Sequence, residues 1–242
     1  MIVHPRRTGL VAAVLVAVAG SVVASPGIAS ARATATEVPA SFQQAQQQLE
    51  QQLANRSSEL ARLAADVAGA KSLTAAHANL LNARLQTEAA SISALVAKVP
   101  SDTTRAELRS DRQAMLRDNR VYGVTVPQVF ETIEADAIAA QVTVLVANEP
   151  ALEASMTSVA GEPGYKSARN HFNACVSSLA RAGRISANVA TVVLNQSVLG
   201  FPHNTHVFVH ANEALLRGDL ALAHASYDAT VVGFATGGYT GP

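Results

Sequence analysis

The most constraining feature of this sequence is its long proline-free stretch. From Ser41 to Val99 there is no proline and a single glycine, Gly69, so no residue there forces an α-helix to end. A continuous helix of this length measures about 90 Å at 1.5 Å per residue. The spacing predicts an amphipathic helix with local coiled-coil character, packed in a bundle or hairpin. Its apolar positions recur every seven residues, apart from Glu88: Leu53, Leu60, Val67, Thr74, Leu81 and Leu95.

The start of this stretch is rich in glutamine, with seven glutamines between Gln43 and Gln52. Glutamine favours helices and is well solvated without carrying charge. Because Leu49 and Leu53 keep the helical spacing, the segment is interpreted as the first turns of the helix rather than as an aggregating tract.

Prolines and glycines divide the rest of the chain. Pro100 before Ser101-Asp102-Thr103 predicts a stop followed by an N-cap, and Pro127 predicts a kink in the next helix. Pro150 either kinks that helix or begins a new one. Gly161-Glu162-Pro163-Gly164 and Gly200-Phe201-Pro202 predict further breaks. The predicted helices, all in one domain over 41–235, are 41–99, 102–160, 165–198 and 204–234.

These lengths predict an all-α fold, an elongated antiparallel hairpin or bundle of about four helices with coiled-coil character. If the first two helices reverse at Pro100, the shorter third and fourth cover one end only. The uncovered arm then exposes apolar side chains that need a protein partner or a second copy. The arm residues are Leu81, Leu85, Ile92, Leu95, Tyr122 and Val126.

The N-terminus is typical of a secretory signal peptide. Arg6 and Arg7 precede the apolar run Leu10 to Ala24, and small residues ending at Ala31 follow. We expect cleavage after Ala31 and a mature protein that is extracellular or in the cell envelope. Residues 32–40 are expected to form a flexible linker, and residues 236–242 a disordered tail. The alternative is an uncleaved segment that stays as a membrane anchor, although the run is shorter than the roughly 20 residues that span a bilayer.

Composition excludes several classes of function. The net charge is zero, and only 4% of residues are aromatic, so neither the basic surface nor the stacking platforms of a nucleic-acid binder are present. The single cysteine, Cys175, cannot form an internal disulfide. Its place in an apolar stripe favours a buried side chain over a thiol nucleophile or a disulfide between two chains.

The sharpest candidate site is a histidine cluster. His203, His206 and His210 share one face if the last helix begins by His203, and Glu213 follows one turn later. Such a face could bind Zn²⁺ or Cu²⁺. The alternative is a set of surface or packing histidines, because Pro202 and Asn204 place His203 before the helix.

Two charged segments have simpler interpretations. Glu131, Glu134 and Asp136 resemble the carboxylates of di-iron bundles, but the chain contains no Glu-x-x-His, so a solvated acidic face is expected. The arginines between Arg105 and Arg120 alternate with acids, which predicts a salt-bridged surface rather than an anion site.

The sequence contains no nucleophile-elbow, Walker, dinucleotide-binding, zinc-protease or EF-hand motif. We therefore expect a non-enzyme without a cofactor. The leading hypothesis is an exported structural or interaction protein that uses the arm or the glutamine-rich end. The alternative is a small-ligand or metal-binding bundle that uses the histidine face.

Two short motifs carry a resemblance. Asn119-Arg120-Val121-Tyr122 with a proline five residues later, and Gly200-Phe201-Pro202 before the last helix, resemble a group of secreted helical proteins from actinobacteria. The match covers Leu108 to Phe234. The group has no assigned activity, so the resemblance implies an exported helical bundle and transfers no catalytic residue. Gly123 departs from the group's pattern, in which a larger apolar residue follows the tyrosine, and is expected to loosen the helix before Pro127.

Overall fold

The computed structural model describes residues 40–237. The signal peptide, its cleavage after Ala31, residues 32–39 of the linker and residues 238–242 of the tail lie outside this range. The described residues contain α-helices and short helical turns but no strand, which confirms the all-α prediction. The helices are α1 (Ala40–Gly69), α2 (Ala75–Lys98), α3 (Arg105–Arg117), α4 (Val126–Ser158), α5 (Tyr165–Leu194) and α6 (Thr205–Ala235).

The proline-free stretch forms two helices rather than one, so the predicted continuous helix over 41–99 is wrong. α1 ends at Gly69, and Thr74 caps α2 by accepting the His77 backbone N–H at 3.3 Å. The Thr74 N–H donates to the Asp136 carboxylate of α4 at 2.7 Å. In a continuous helix these two backbone N–H groups would donate to carbonyl groups of the preceding turn. Here the Thr74 hydroxyl and the Asp136 carboxylate accept their hydrogen bonds instead.

This earlier reversal buries the predicted interaction arm inside the chain. α2 packs along α1, and four of the arm residues are at most 9% exposed. Val126 packs against the same cluster, and only Tyr122 is exposed, beneath the Arg56 guanidinium. The arm is therefore not a free apolar surface. The four buried members are Leu81, Leu85, Ile92 and Leu95.

The second predicted helix, 102–160, is also divided. Thr104 caps α3 through a capping box with Glu107, and α3 ends at Arg117. The chain then makes one π-helical turn, Val121–Thr125, and Pro127 lies in the first turn of α4. The break therefore precedes Pro127, because proline suits the first turn of a helix, where its missing N–H has no partner to lose.

Pro150 neither breaks nor ends α4, which continues to Ser158. The proline lies on the exposed side of the helix. Because proline has no N–H, the carbonyl group four residues earlier loses its helical hydrogen bond. Water can solvate that carbonyl on the exposed side, so the helix continues through Pro150.

α4 contributes to two apolar clusters. Its N-terminal part, with Val129, joins the cluster built from α1, α2 and α3. Ala135 and Ile138 belong to a second cluster with α5 and α6, the pair of helices with the most extensive packing. Among residues 40–237, no helix is long and apolar enough to span a bilayer.

Candidate functional site

The histidine face does not assemble into a metal site. His203 lies in the turn before α6, while His206 and His210 are exposed in its first two turns. The two rings contact edge to face with centroids 6.2 Å apart, and His210 Nδ1 lies 3.5 Å from Glu213 Oε2. Zinc requires every ligand atom within about 2.0–2.3 Å of one ion. Within the described range, no group of three or more His, Cys, Asp or Glu side chains could hold a metal.

Two other histidines link helices through carboxylates. His77 Nδ1 lies 2.9 Å from Asp136 and so links the first turn of α2 to α4. His171 Nδ1 lies 2.7 Å from Asp228 and joins α5 to α6. Both contacts have a structural role that the sequence alone did not indicate, because each pair is separated by more than 50 positions.

The acidic segment of α4 is buried, so its interpretation as a solvated face is wrong. Glu131 is 9% exposed and Asp136 is 5% exposed, because α4 is covered on two sides. Burial, together with the charge of Glu134, raises the pKa of Glu131 to about 8. Glu131 Oε2 has no hydrogen-bond partner among residues 40–237. This carboxyl is therefore largely protonated at neutral pH.

A polar pocket of about 470 Å³, which we call the Glu88 pocket, is lined by buried polar side chains. Three separate parts of the chain line it: one face of α2, the end of α3 with Asn119, and the connection between α5 and α6. The α2 side supplies Arg84 and Glu88, and Leu80 and Val198 supply apolar wall. A volume of this size is in the range of small-molecule sites.

Glu88 is the most buried ionisable group in this pocket, at 5% exposure. Thr125 donates its hydroxyl hydrogen to Glu88 Oε1, whereas Oε2 has no donor in the described part of the chain. Burial raises the pKa of Glu88, and the Thr125 hydrogen bond and Arg84 partly offset this rise. Glu88 thus has one buried oxygen without a donor, which is uncommon for a buried carboxylate.

Asn119 provides a second buried acceptor. It is 2% exposed and donates weakly to the Ala114 carbonyl at 3.5 Å, while its Oδ1 has no partner within residues 40–237. The sequence places Asn119 at the end of α3, where its short polar side chain helps to end the helix. Two residues that line the pocket, Glu88 and Asn119, therefore each carry a buried oxygen that lacks a donor among residues 40–237.

The two motifs of the resemblance meet beside this pocket. The Arg120 guanidinium stacks over the Phe201 ring at 4.5 Å. A Cβ atom on Gly123 would lie 2.8 Å from that ring, so Gly123 leaves the space that Phe201 occupies. The glycine makes room for a tertiary contact, which gives it a packing role that the sequence comparison did not supply.

Arg84 adds a positive charge one helical turn before Glu88. Burial lowers its pKa, while the charge of Glu88 acts in the opposite direction. Its guanidinium forms no ion pair within hydrogen-bonding distance in the described residues. The residues that line the pocket thus combine two oxygens that lack a hydrogen-bond donor with a guanidinium that can bind an anion.

The sequence contained a signal for this site. Glu88 occupies a position in the α2 stripe where leucine otherwise recurs, and a charged residue at a core position is uncommon unless it is paired or functional. Asn119 lies in the motif that carried the resemblance. Their convergence could not be predicted, because Ser197 and Val198 of the same pocket are about 110 residues further along the chain than Glu88.

The fold and pocket define an all-helical protein with a polar site at the junction of three chain segments. Comparison with known proteins found no matching family model, no matching curated protein and no matching solved structure. The resemblance to secreted actinobacterial proteins stays a prediction.

Proposed function

We propose that this protein binds a small zwitterionic ligand in the Glu88 pocket. The observation that supports this most directly is the pair of buried oxygens, Glu88 Oε2 and Asn119 Oδ1, that lack donors among residues 40–237. A buried polar atom without a partner is energetically unfavourable by about 1–3 kcal/mol. A ligand that donates hydrogen bonds would remove this penalty.

The charged residues that line the pocket are Arg84, Glu88 and Asp118, and they favour a ligand that carries both a positive and a negative group. An ammonium group would donate to Glu88 and Asn119, and a carboxylate on the same ligand would accept from Arg84. Leu80 and Val198 offer apolar contact to the rest of the molecule. An amino acid has this chemistry in a size that a pocket of about 470 Å³ accommodates.

We further propose that binding takes place outside the cytoplasm. The N-terminal sequence supports this, because arginines, an apolar run and small residues ending at Ala31 follow one another in the order of a signal peptide. The role is that of an exported binding protein and not an enzyme. This proposal retains the ligand-binding alternative from the sequence but assigns it to residues other than the histidine face.

A thermal-shift screen of the twenty common amino acids tests the proposal first, since a ligand of the folded state raises the melting temperature. Calorimetry with leucine then separates the contributions, using 3-methylbutylamine and 4-methylpentanoate as probes that each lack one charge. We expect leucine, or the best amino acid of the screen, to bind at least tenfold more tightly than either single-charge counterpart.

Two variants assign the roles. Glu88→Gln should lower the affinity for the amino acid tenfold or more, and Arg84→Gln should remove its advantage over the amine. Glu162→Gln, in an exposed loop, is the matched control and should bind like the wild type. Affinity should rise with pH as Glu88 ionises. If no amino acid raises the melting temperature, or if Glu88→Gln binds normally, the proposal is wrong.

A further inference from the structure

A second concave surface lies between the first turns of α1 and residues 105–112 of α3. We call it the arginine groove; its volume is about 380 Å³. The floor is apolar, since Phe42, Leu49 and Leu108 line it and are each at most 7% exposed. Gln48 and Gln52, from the glutamine-rich segment, form part of its edge.

Three arginines line the groove from one face of α3. Arg105, Arg109 and Arg112 are spaced by four and three residues, so they project from the same side of the helix. Arg105 donates to the Ser41 hydroxyl at 2.6 Å. Among the described residues that line the groove, none is acidic.

The acids of α3 are occupied elsewhere, so the predicted salt-bridged surface does not form. Asp111 pairs with Lys98, which projects from α2. Glu107 accepts hydrogen bonds from Thr103 and Thr104 at the start of the helix. Within residues 40–237, Arg109 and Arg112 form no ion pair. Within residues 40–237, three positive charges thus stand beside the apolar floor with no acidic residue paired to them.

We infer that the arginine groove binds an anionic amphiphile, a carboxylate attached to an apolar chain. The guanidinium groups would bind the carboxylate, which arginine can do through two parallel hydrogen bonds. The apolar chain would lie along Phe42, Leu49 and Leu108 and be removed from water. The volume fits a small free amphiphile rather than a folded partner. This inference is independent of the function proposed for the Glu88 pocket.

Calorimetry on the full chain at pH 7.5 tests this inference with three probes. Decanoate carries both the charge and the chain, decyltrimethylammonium carries the same chain with the opposite charge, and acetate carries the charge alone. We expect decanoate to bind at least tenfold more tightly than either of the others. Equal binding of the two long-chain probes would overturn the inference, as would the absence of decanoate binding.

Variants then locate the site. Arg109→Gln combined with Arg112→Gln should weaken decanoate binding tenfold or more. Ala45→Leu should weaken it about fivefold without changing the charge, because Ala45 lines the groove and is exposed.

The matched control removes two exposed arginines from other helices, by Arg181→Gln combined with Arg217→Gln, and should change the affinity less than twofold. Glu88→Gln should leave decanoate binding intact, which separates this site from the pocket. Wild-type affinity in the Arg109/Arg112 variant, with an unchanged helical circular dichroism signal, would refute the assignment.

Discussion

Glu131 places an ionisable carboxyl inside the helical core, and its titration should control how the stability of the protein depends on pH. Its pKa is about 8 in the folded chain, compared with an ordinary value of 4.5. Between these values the folded state holds a proton that the unfolded state has released. The free energy of unfolding should therefore fall as the pH rises from about 4.5 towards 8 and level off above it.

The size of this effect follows from the difference in proton affinity. At about 1.4 kcal/mol per pKa unit, the change from 4.5 to about 8 sets an upper limit of about 5 kcal/mol. Water that reaches the carboxyl edge and small shifts of neighbouring groups reduce this penalty, and we expect about 2–3 kcal/mol. For a domain of this size, this corresponds to about 5–10 °C in melting temperature.

The perturbation that isolates this term is Glu131→Gln, which keeps the shape of the side chain and removes its titration. Urea unfolding at pH 5 and pH 9 gives four free energies, two for each protein. The loss of stability between the two pH values should be about 2–3 kcal/mol smaller in Glu131→Gln than in the wild type. Comparing the two pH values cancels any constant effect of the amide on packing.

Glu162→Gln serves as the control, because this residue lies in an exposed loop. Its stability should depend on pH as that of the wild type does. If Glu131→Gln and the wild type lose the same stability between pH 5 and pH 9, within about 0.5 kcal/mol, the buried carboxyl does not carry the penalty and the reasoning is refuted.

Three further results are expected. Gly123→Ala should destabilise the protein by about 1–2 kcal/mol in thermal unfolding, because a Cβ would lie 2.8 Å from a facing aromatic ring, whereas Gly69→Ala, with open space around it, should be neutral or stabilising. Asp136→Ala should lower the free energy of unfolding by about 1–3 kcal/mol in urea, because the Thr74 N–H loses its acceptor; an unchanged value would contradict this. Cys175 is 2% exposed and burial raises its pKa to about 11, so iodoacetamide should label it only after unfolding, as mass spectrometry can check.

Helical content could be predicted because it depends on local periodicity. Apolar residues at three- and four-residue spacing made each helix amphipathic, and α5 and α6 begin within one residue of their predicted starts. The break after Gly69 was missed although a local signal existed. Thr74 is a good N-cap, but it also occupies a position in the heptad stripe, and the choice between these roles depends on Asp136 of another helix.

The candidate sites also depend on contacts with residues that are distant in the chain, which local sequence patterns do not reveal. Glu88 and the arginines of α3 are visible in the sequence as a charge in an apolar stripe and as a basic face. Whether the arginines pair with nearby acids depended on Lys98, which pairs with Asp111, and on Thr103 and Thr104, which donate to Glu107. The histidine spacing was suggestive, yet side chains at helical spacing on a single helix did not converge on one point.

The sequence by itself determined that this chain is helical, with amphipathic stripes that must be buried, because backbone geometry turns residue spacing into a face. Only the tertiary structure decided where the chain reverses, that the predicted arm is core, and that Glu88, Asn119 and Arg84 share one pocket. Contacts between residues far apart in the chain depend on how the faces pack together, and no local pattern encodes that packing.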